Sequence, residues 1–105
     1  MIEIKYDRAN HHVTVKGHAG RARRGRDLVC ASVTALTCTL ARVVEELNEN
    51  NLLEECNVRL EVGDAEISLR TNEYSHCCTL MFDTICRGYE MLAVDYPRNI
   101  SYIRA

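Results

Sequence analysis

The sequence predicts a single α+β domain of element order ββαββαβ, with two helices packed on a mixed or antiparallel sheet. Three observations carry this. Short segments in which apolar and polar residues alternate come in two adjacent pairs, within residues 2–15 and 58–69. Each pair precedes a longer segment whose apolar residues step by three and four. At 105 residues the chain has the size of one domain and no room for a second core, so residues 1–105 are read as one unit.

Ile2, Ile4 and Tyr6 alternate with Glu3, Lys5 and Asp7, and after a polar break at Arg8 to Asn10, Val13 and Val15 alternate with Thr14 and Lys16. This reads as a hairpin, with His11 and His12 at its turn. Gly17 to Arg26 holds three glycines and four arginines but only small apolar residues, so an exposed loop is expected there. Asp27 is a good helix N-cap, and Val29, Val33, Leu36, Leu40, Val43 and Leu47 then form one apolar stripe of a long helix ending near Glu49 to Asn51.

Val58, Leu60 and Val62 alternate with Arg59 and Glu61, Gly63-Asp64 reads as a turn, and Ala65, Ile67 and Leu69 alternate with Glu66, Ser68 and Arg70. This is a second hairpin. Thr71 or Asn72 can cap the second helix, with Cys78, Phe82, Ile85, Tyr89 and Leu92 on one face and Pro97 closing the segment. Ile100 and Tyr102 suggest a last short strand.

The balance of 13 Lys and Arg against 15 Asp and Glu gives a net charge of −2, which argues against a global attraction to nucleic acid or anionic membrane. Met1 to Asp7 lacks the uninterrupted apolar core of a secretory signal. The apolar segment from Leu28 to Leu47 is interrupted by Thr, Arg and Glu, so a soluble, cytoplasmic protein without a membrane partner is expected. Six cysteines can make a disulfide framework, but only 5 Gly and 1 Pro is too few turn residues for one. Cys30, Cys38, Cys78 and Cys86 fall among apolar neighbours in helical patterns, where thiols act as small hydrophobes, and reduced cysteines are expected.

One cysteine stands apart. With Asp27 as cap, Cys30 occupies the first helical turn, where unpaired N–H groups and the positive end of the dipole favour a thiolate. Position alone suits a buried core cysteine better. His18 alters the balance, because it lies at the other end of the Gly-containing loop that returns the chain to the helix start. A Cys–His pair is then within reach, in which the imidazole takes the thiol proton and later protonates the leaving amine. On strand parity His18 shares a face with Thr14 and Lys16, so it needs Gly17 to bend the backbone if Val13 and Val15 face the core.

These residues carry a resemblance. Gly17-His18-Ala19-Gly20, followed by Gly25-Arg26-Asp27-Leu28-Val29-Cys30-Ala31-Ser32-Val33-Thr34-Ala35-Leu36, resembles the ribosomal-processing cysteine protease family, Prp, over nearly the whole chain. The resemblance implies that His18 and Cys30 are a catalytic dyad and that Asp27 matches an acidic residue before the nucleophile, as helix cap and orienting acid. It implies a homodimer that removes a short N-terminal extension from bacterial large-subunit ribosomal protein twenty-seven, or a phage relative that trims capsid or scaffold proteins. Thr34 stands where Ser is common and keeps a hydroxyl one turn after Cys30. Ala19, Gly20, Arg21, Arg23, Arg24, Gly25 and Arg26 are substrate-binding candidates with Thr34, and the loop is more basic than usual for the family.

The other candidates offer less. His76-Cys77-Cys78 lacks the spaced pairs of a structural zinc site, and adjacent cysteines point to different helix faces, so one core and one surface thiol is expected; no metal or cofactor is called for. A rival of another class is a non-catalytic ribosome-associated module that uses the arginines to hold RNA phosphates. Such a module has no need of His18 and Cys30, and its basic residues should extend beyond one loop, so nucleic-acid contact is expected only through the ribosome.

Overall fold

A computed structural model describes residues 1–17 and 28–105. Among the described residues, five strands and two helices follow in the expected order: β1 (Ile2–Asp7), β2 (His12–Gly17), α1 (Leu28–Glu49), β3 (Glu55–Glu61), β4 (Asp64–Arg70), α2 (Ser75–Asp95) and β5 (Ile100–Arg104). They build one sheet of order β3-β4-β2-β1-β5. Every neighbouring pair is antiparallel except β1 and β5, which run parallel, so the sheet is mixed.

Register explains which side of each strand is buried. Ile4 pairs with Val15, Tyr6 with Val13, Val13 with Ile67, and Val15 with Ala65, so these side chains share one face. That face is the core, and Ile2, Ile4, Tyr6, Val13 and Ile67 are almost wholly buried. Each such side chain contributes about 1.5–3 kcal/mol by leaving water. The other face carries the polar residues of the alternation, among them an ion cluster in which Arg59 meets Asp64 at 2.7 Å and Glu66 at 3.5 Å. His12 meets the same Glu66 at 2.7 Å.

α1 packs on β3, β4 and α2, while α2 also contacts β5. The buried face of α1 is Val33, Thr37, Leu40, Ala41 and Val44, with Val29, Leu36, Val43 and Leu47 only partly covered. It is therefore turned away from the stripe that hydrophobicity alone marks. The reason is a polar contact: the Thr37 hydroxyl donates to the Val33 carbonyl at 2.7 Å and lies 2.7 Å from the Tyr89 hydroxyl on α2. On the neighbouring helix Gly88 allows close approach, since a Cβ there would sit 2.9 Å from Leu36 Cδ1.

By length and composition α1 is apolar enough to cross a membrane, with a mean hydropathy of 1.5, which corrects the expectation that its Thr, Arg and Glu residues forbid this. The charged residues Arg42, Glu45, Glu46 and Glu49 all follow a charge-free stretch from Leu28 to Ala41, and within it the Thr37 and Thr39 hydroxyls bond back to the carbonyls four residues earlier. Packing against the sheet and α2 explains the apolar side that it buries. Its end is closed by Asn51 at φ 60°, with the Leu52 amide bonded to the Leu47 carbonyl and the Asn51 amide to the Asn48 carbonyl, a Schellman arrangement.

Several boundaries differ from expectation. The β3–β4 turn is Val62-Gly63, with Gly63 at φ 73°, and Asp64 already belongs to β4. Leu60 and Val62 are exposed rather than core. α2 starts at Ser75, so neither Thr71 nor Asn72 caps it; the Thr71 hydroxyl instead accepts from the Tyr74 amide and donates to the Leu52 carbonyl, tying two turns together. On α2 the buried residues are Cys78, Phe82, Cys86 and Tyr89.

Candidate active site

Cys30 is the third described residue of α1 and is partly buried against the core. It opens onto a groove of about 450 Å3. The helix supplies the floor through Cys30, Val33, Thr34, Thr37 and Cys38. Ile2, Val15 and Gly17 at the ends of β1 and β2, together with the adjoining β3–β4 segment from Leu60 to Ala65, form the sheet wall.

Gly17 is fixed by its surroundings. It has φ 95°, and a Cβ would overlap the carbonyl oxygen of Met1, so only glycine fits. Its amide donates to the Gly63 carbonyl at 2.9 Å. Gly17 thus breaks the extended conformation where the chain leaves β2, the bend that strand parity requires at this point. His18, Ala19, Gly20, Arg21, Arg23, Arg24, Gly25, Arg26 and Asp27 lie outside the described residues. Of the expected site residues the structure describes Cys30 and Thr34, and it brings both to one groove.

The six cysteines are thiols with distinct surroundings. Burial pushes Cys86 up to about 12, and burial likewise raises Cys78 and Cys56, which disfavours their thiolates. Cys77 is exposed beside buried Cys78, giving the expected surface and core pair. Cys38 is exposed and not a core residue, because the rotation of α1 that buries Thr37 and Ala41 turns it outward.

The sequence reading missed most of the groove walls. Leu60 and Val62 alternate like ordinary strand residues, and Thr37 is a polar residue outside the apolar stripe, so none of them stands out in the sequence. It also missed His11, which is buried at φ 47° with Nε2 2.8 Å from Thr79 Oγ1 and 3.2 Å from the Ser75 carbonyl. These two contacts pin the hairpin to the start of α2.

A cysteine at a helix start, opening on a groove beside a glycine held in the left-handed region, is the arrangement that comparison with known proteins then explains. The family model for Cysteine protease Prp matches residues 1–101. The chain belongs to the Prp cysteine protease family. It is therefore a cysteine protease, and its Prp fold extends over almost all its length. An S. aureus ribosomal processing protease Prp, solved with a covalently linked product peptide, is 20% identical with a TM-score of 0.73, over 99% of this chain and 97% of that one. The same S. aureus protease with a substrate peptide matches at 18% identity and TM-score 0.70, over 99% of this chain and 97% of that one. SMU.848 from Streptococcus mutans is 24% identical with a TM-score of 0.68, over 98% of this chain and 90% of that one. Comparison with curated proteins finds no match.

Proposed function

We propose that this Prp protease removes a short N-terminal extension from large-subunit ribosomal protein twenty-seven, with Cys30 as nucleophile and His18 as its base. The observation that carries the reading is the opening of Cys30, in the first turn of α1, onto the groove bordered by Gly17, the residue before His18. An extended peptide lying in this groove brings its carbonyl to the sulfur. His18 takes the thiol proton, the thiolate attacks, and the imidazolium protonates the departing amine to leave an acyl-enzyme that water hydrolyses. Asp27 caps α1 and orients the imidazole in this scheme, Thr34 borders the substrate, and the arginines from Arg21 to Arg26 lie at the rim.

Its support from relatives is that the S. aureus proteins of the same fold are ribosomal processing proteases solved with substrate and product peptides. The protein acts in the cytoplasm as a homodimer, and exposed Leu80, Met91 and Val94 on α2 are apolar surface of the kind a subunit contact uses. The deciding experiment follows cleavage of a peptide spanning the extension junction by wild type and His18→Ala, with Cys30 alkylation by iodoacetamide read against pH. His18→Ala should slow cleavage severely and move alkylation to higher pH. Full cleavage by His18→Ala removes that residue from the mechanism.

A further inference from the structure

We propose that Tyr89 is a positioning residue for cleavage: through its hydroxyl contact with Thr37 it fixes the rotation of α1 about its own axis, and with it the direction in which Cys30 presents its sulfur. This rests on the reading of Cys30 as the nucleophile.

Apolar packing alone does not set that rotation. With a period of 3.6 residues, the mean direction of the stripe formed by Val29, Val33, Leu36, Leu40, Val43 and Leu47 differs by roughly 60° from that of the buried residues Val33, Thr37, Leu40, Ala41 and Val44. The helix is therefore held away from its most apolar orientation. The contacts of Leu40, Ala41 and Val44 are non-directional and tolerate a turn of the helix, whereas the Thr37 hydroxyl is confined 2.7 Å from that of Tyr89. Tyr89 is a firm anchor, because it lies wholly buried on α2. Burial also pushes its phenol up, so it keeps its proton over the physiological range.

Cys30 shares that rotation. It precedes Thr37 by two helical turns, so the two residues point within roughly 20° of each other, and both line the groove floor. Turning α1 to bring its apolar stripe inward carries Cys30 away from the core. A sulfur about 5 Å from the helix axis moves roughly 1.7 Å for a turn of about 20°. Misplacement of a reacting atom by about 1 Å can slow a reaction on the order of a hundredfold. Tyr89 has no exposed surface and does not line the groove, so its influence on the substrate passes through α1.

The test compares wild type, Tyr89→Phe, Thr37→Ser, Thr37→Ala and Ile67→Val in steady-state cleavage of a junction peptide and in iodoacetamide alkylation of Cys30 against pH, with the adduct located by mass spectrometry. Tyr89→Phe should lower kcat at least about tenfold with KM within about twofold, and should move Cys30 alkylation to higher pH as the sulfur turns from its base. Thr37→Ser keeps a hydroxyl for Tyr89 and should stay near wild type, while Thr37→Ala removes it and should reproduce the kcat loss. Ile67→Val thins the core on β4 without touching the pair and should leave kcat and the alkylation profile unchanged. Cleavage that depends on Cys30 but keeps its kcat in both Tyr89→Phe and Thr37→Ala overturns this inference alone. So does a loss confined to KM, or an equal kcat loss in Ile67→Val. Cleavage that persists in Cys30→Ala overturns it together with the proposed mechanism.

Discussion

The Gly17 amide donates to the Gly63 carbonyl at 2.9 Å, carrying the β2–β4 ladder on to the tip of the β3–β4 hairpin along the sheet side of the groove that Cys30 lines. Both glycines adopt positive φ, 95° and 73°. The sheet side of the groove is therefore set by backbone geometry that other residues adopt only with strain.

Replacing Gly17 with Ala should cost at least about 2 kcal/mol, from the unfavourable φ and from overlap with the Met1 carbonyl. Gly88→Ala should cost much less. Its new Cβ meets only the tip of the Leu36 side chain, which can shift, and alanine regains helix propensity of roughly 1 kcal/mol. Urea unfolding midpoints of the two variants compare these effects, and equal losses would contradict the assignment of strain to Gly17.

Cys30→Ala should abolish cleavage and leave the far-ultraviolet dichroism of the native protein. Cys38→Ala should alter stability by no more than about 0.5 kcal/mol, because its side chain is exposed and fills no core space. Retained turnover in Cys30→Ala removes the nucleophile assignment. A large stability loss in Cys38→Ala would mean that this thiol is covered in solution.

Strand and helix order was legible because alternation and three-four spacing are strong signals, and Ile2, Ile4, Tyr6, Val13 and Val15 occupy the expected core face. The exact face of α1 was not. It depends on Thr37, a polar residue that hydrophobicity places outside, and on its partner Tyr89, fifty-two positions along the chain. The groove was legible at Cys30, Thr34 and Gly17 through their motif. The β3–β4 part of its sheet wall was hidden, since Leu60 and Val62 alternate like buried strand residues and only pairing with β4 shows that Val62 is in a turn. The Tyr6–Asp83 contact was hidden for the same reason, as nothing local signals a partner on another element.

Thr37→Val should destabilise the protein by about 1–3 kcal/mol, because it leaves the buried Tyr89 hydroxyl without its partner. Tyr89→Phe in the same background should add little further loss. A double-mutant cycle by chemical denaturation measures the coupling, and additive losses would mean that the two hydroxyls do not interact.

The pH dependence of stability should report on Asp83. Its carboxylate accepts from Tyr6 Oη at 2.8 Å and from Arg8 Nε at 3.0 Å. The Arg8 hydrogen bond, helped by that of Tyr6, holds the Asp83 carboxyl below the usual carboxylate range against the opposing effect of burial. The Tyr6 phenol is pushed up, first by burial and then by Asp83, and so remains a donor throughout the physiological range. A carboxyl with a depressed folded pKa contributes stability that is fully present above its unfolded value of about 3.9 and is lost as pH falls through the folded value. Asp83→Asn keeps the shape of the contact but removes this linkage. The variant should therefore have a lower thermal midpoint than wild type at pH 7, with the difference shrinking as pH is lowered past about 4, where wild type takes up the proton that the variant lacks. Thermal unfolding of both proteins from pH 7 to pH 3 makes the comparison. A difference that stays constant over that range would show that Asp83 acts through packing alone and that its bonds to Arg8 and Tyr6 do not depend on its charge.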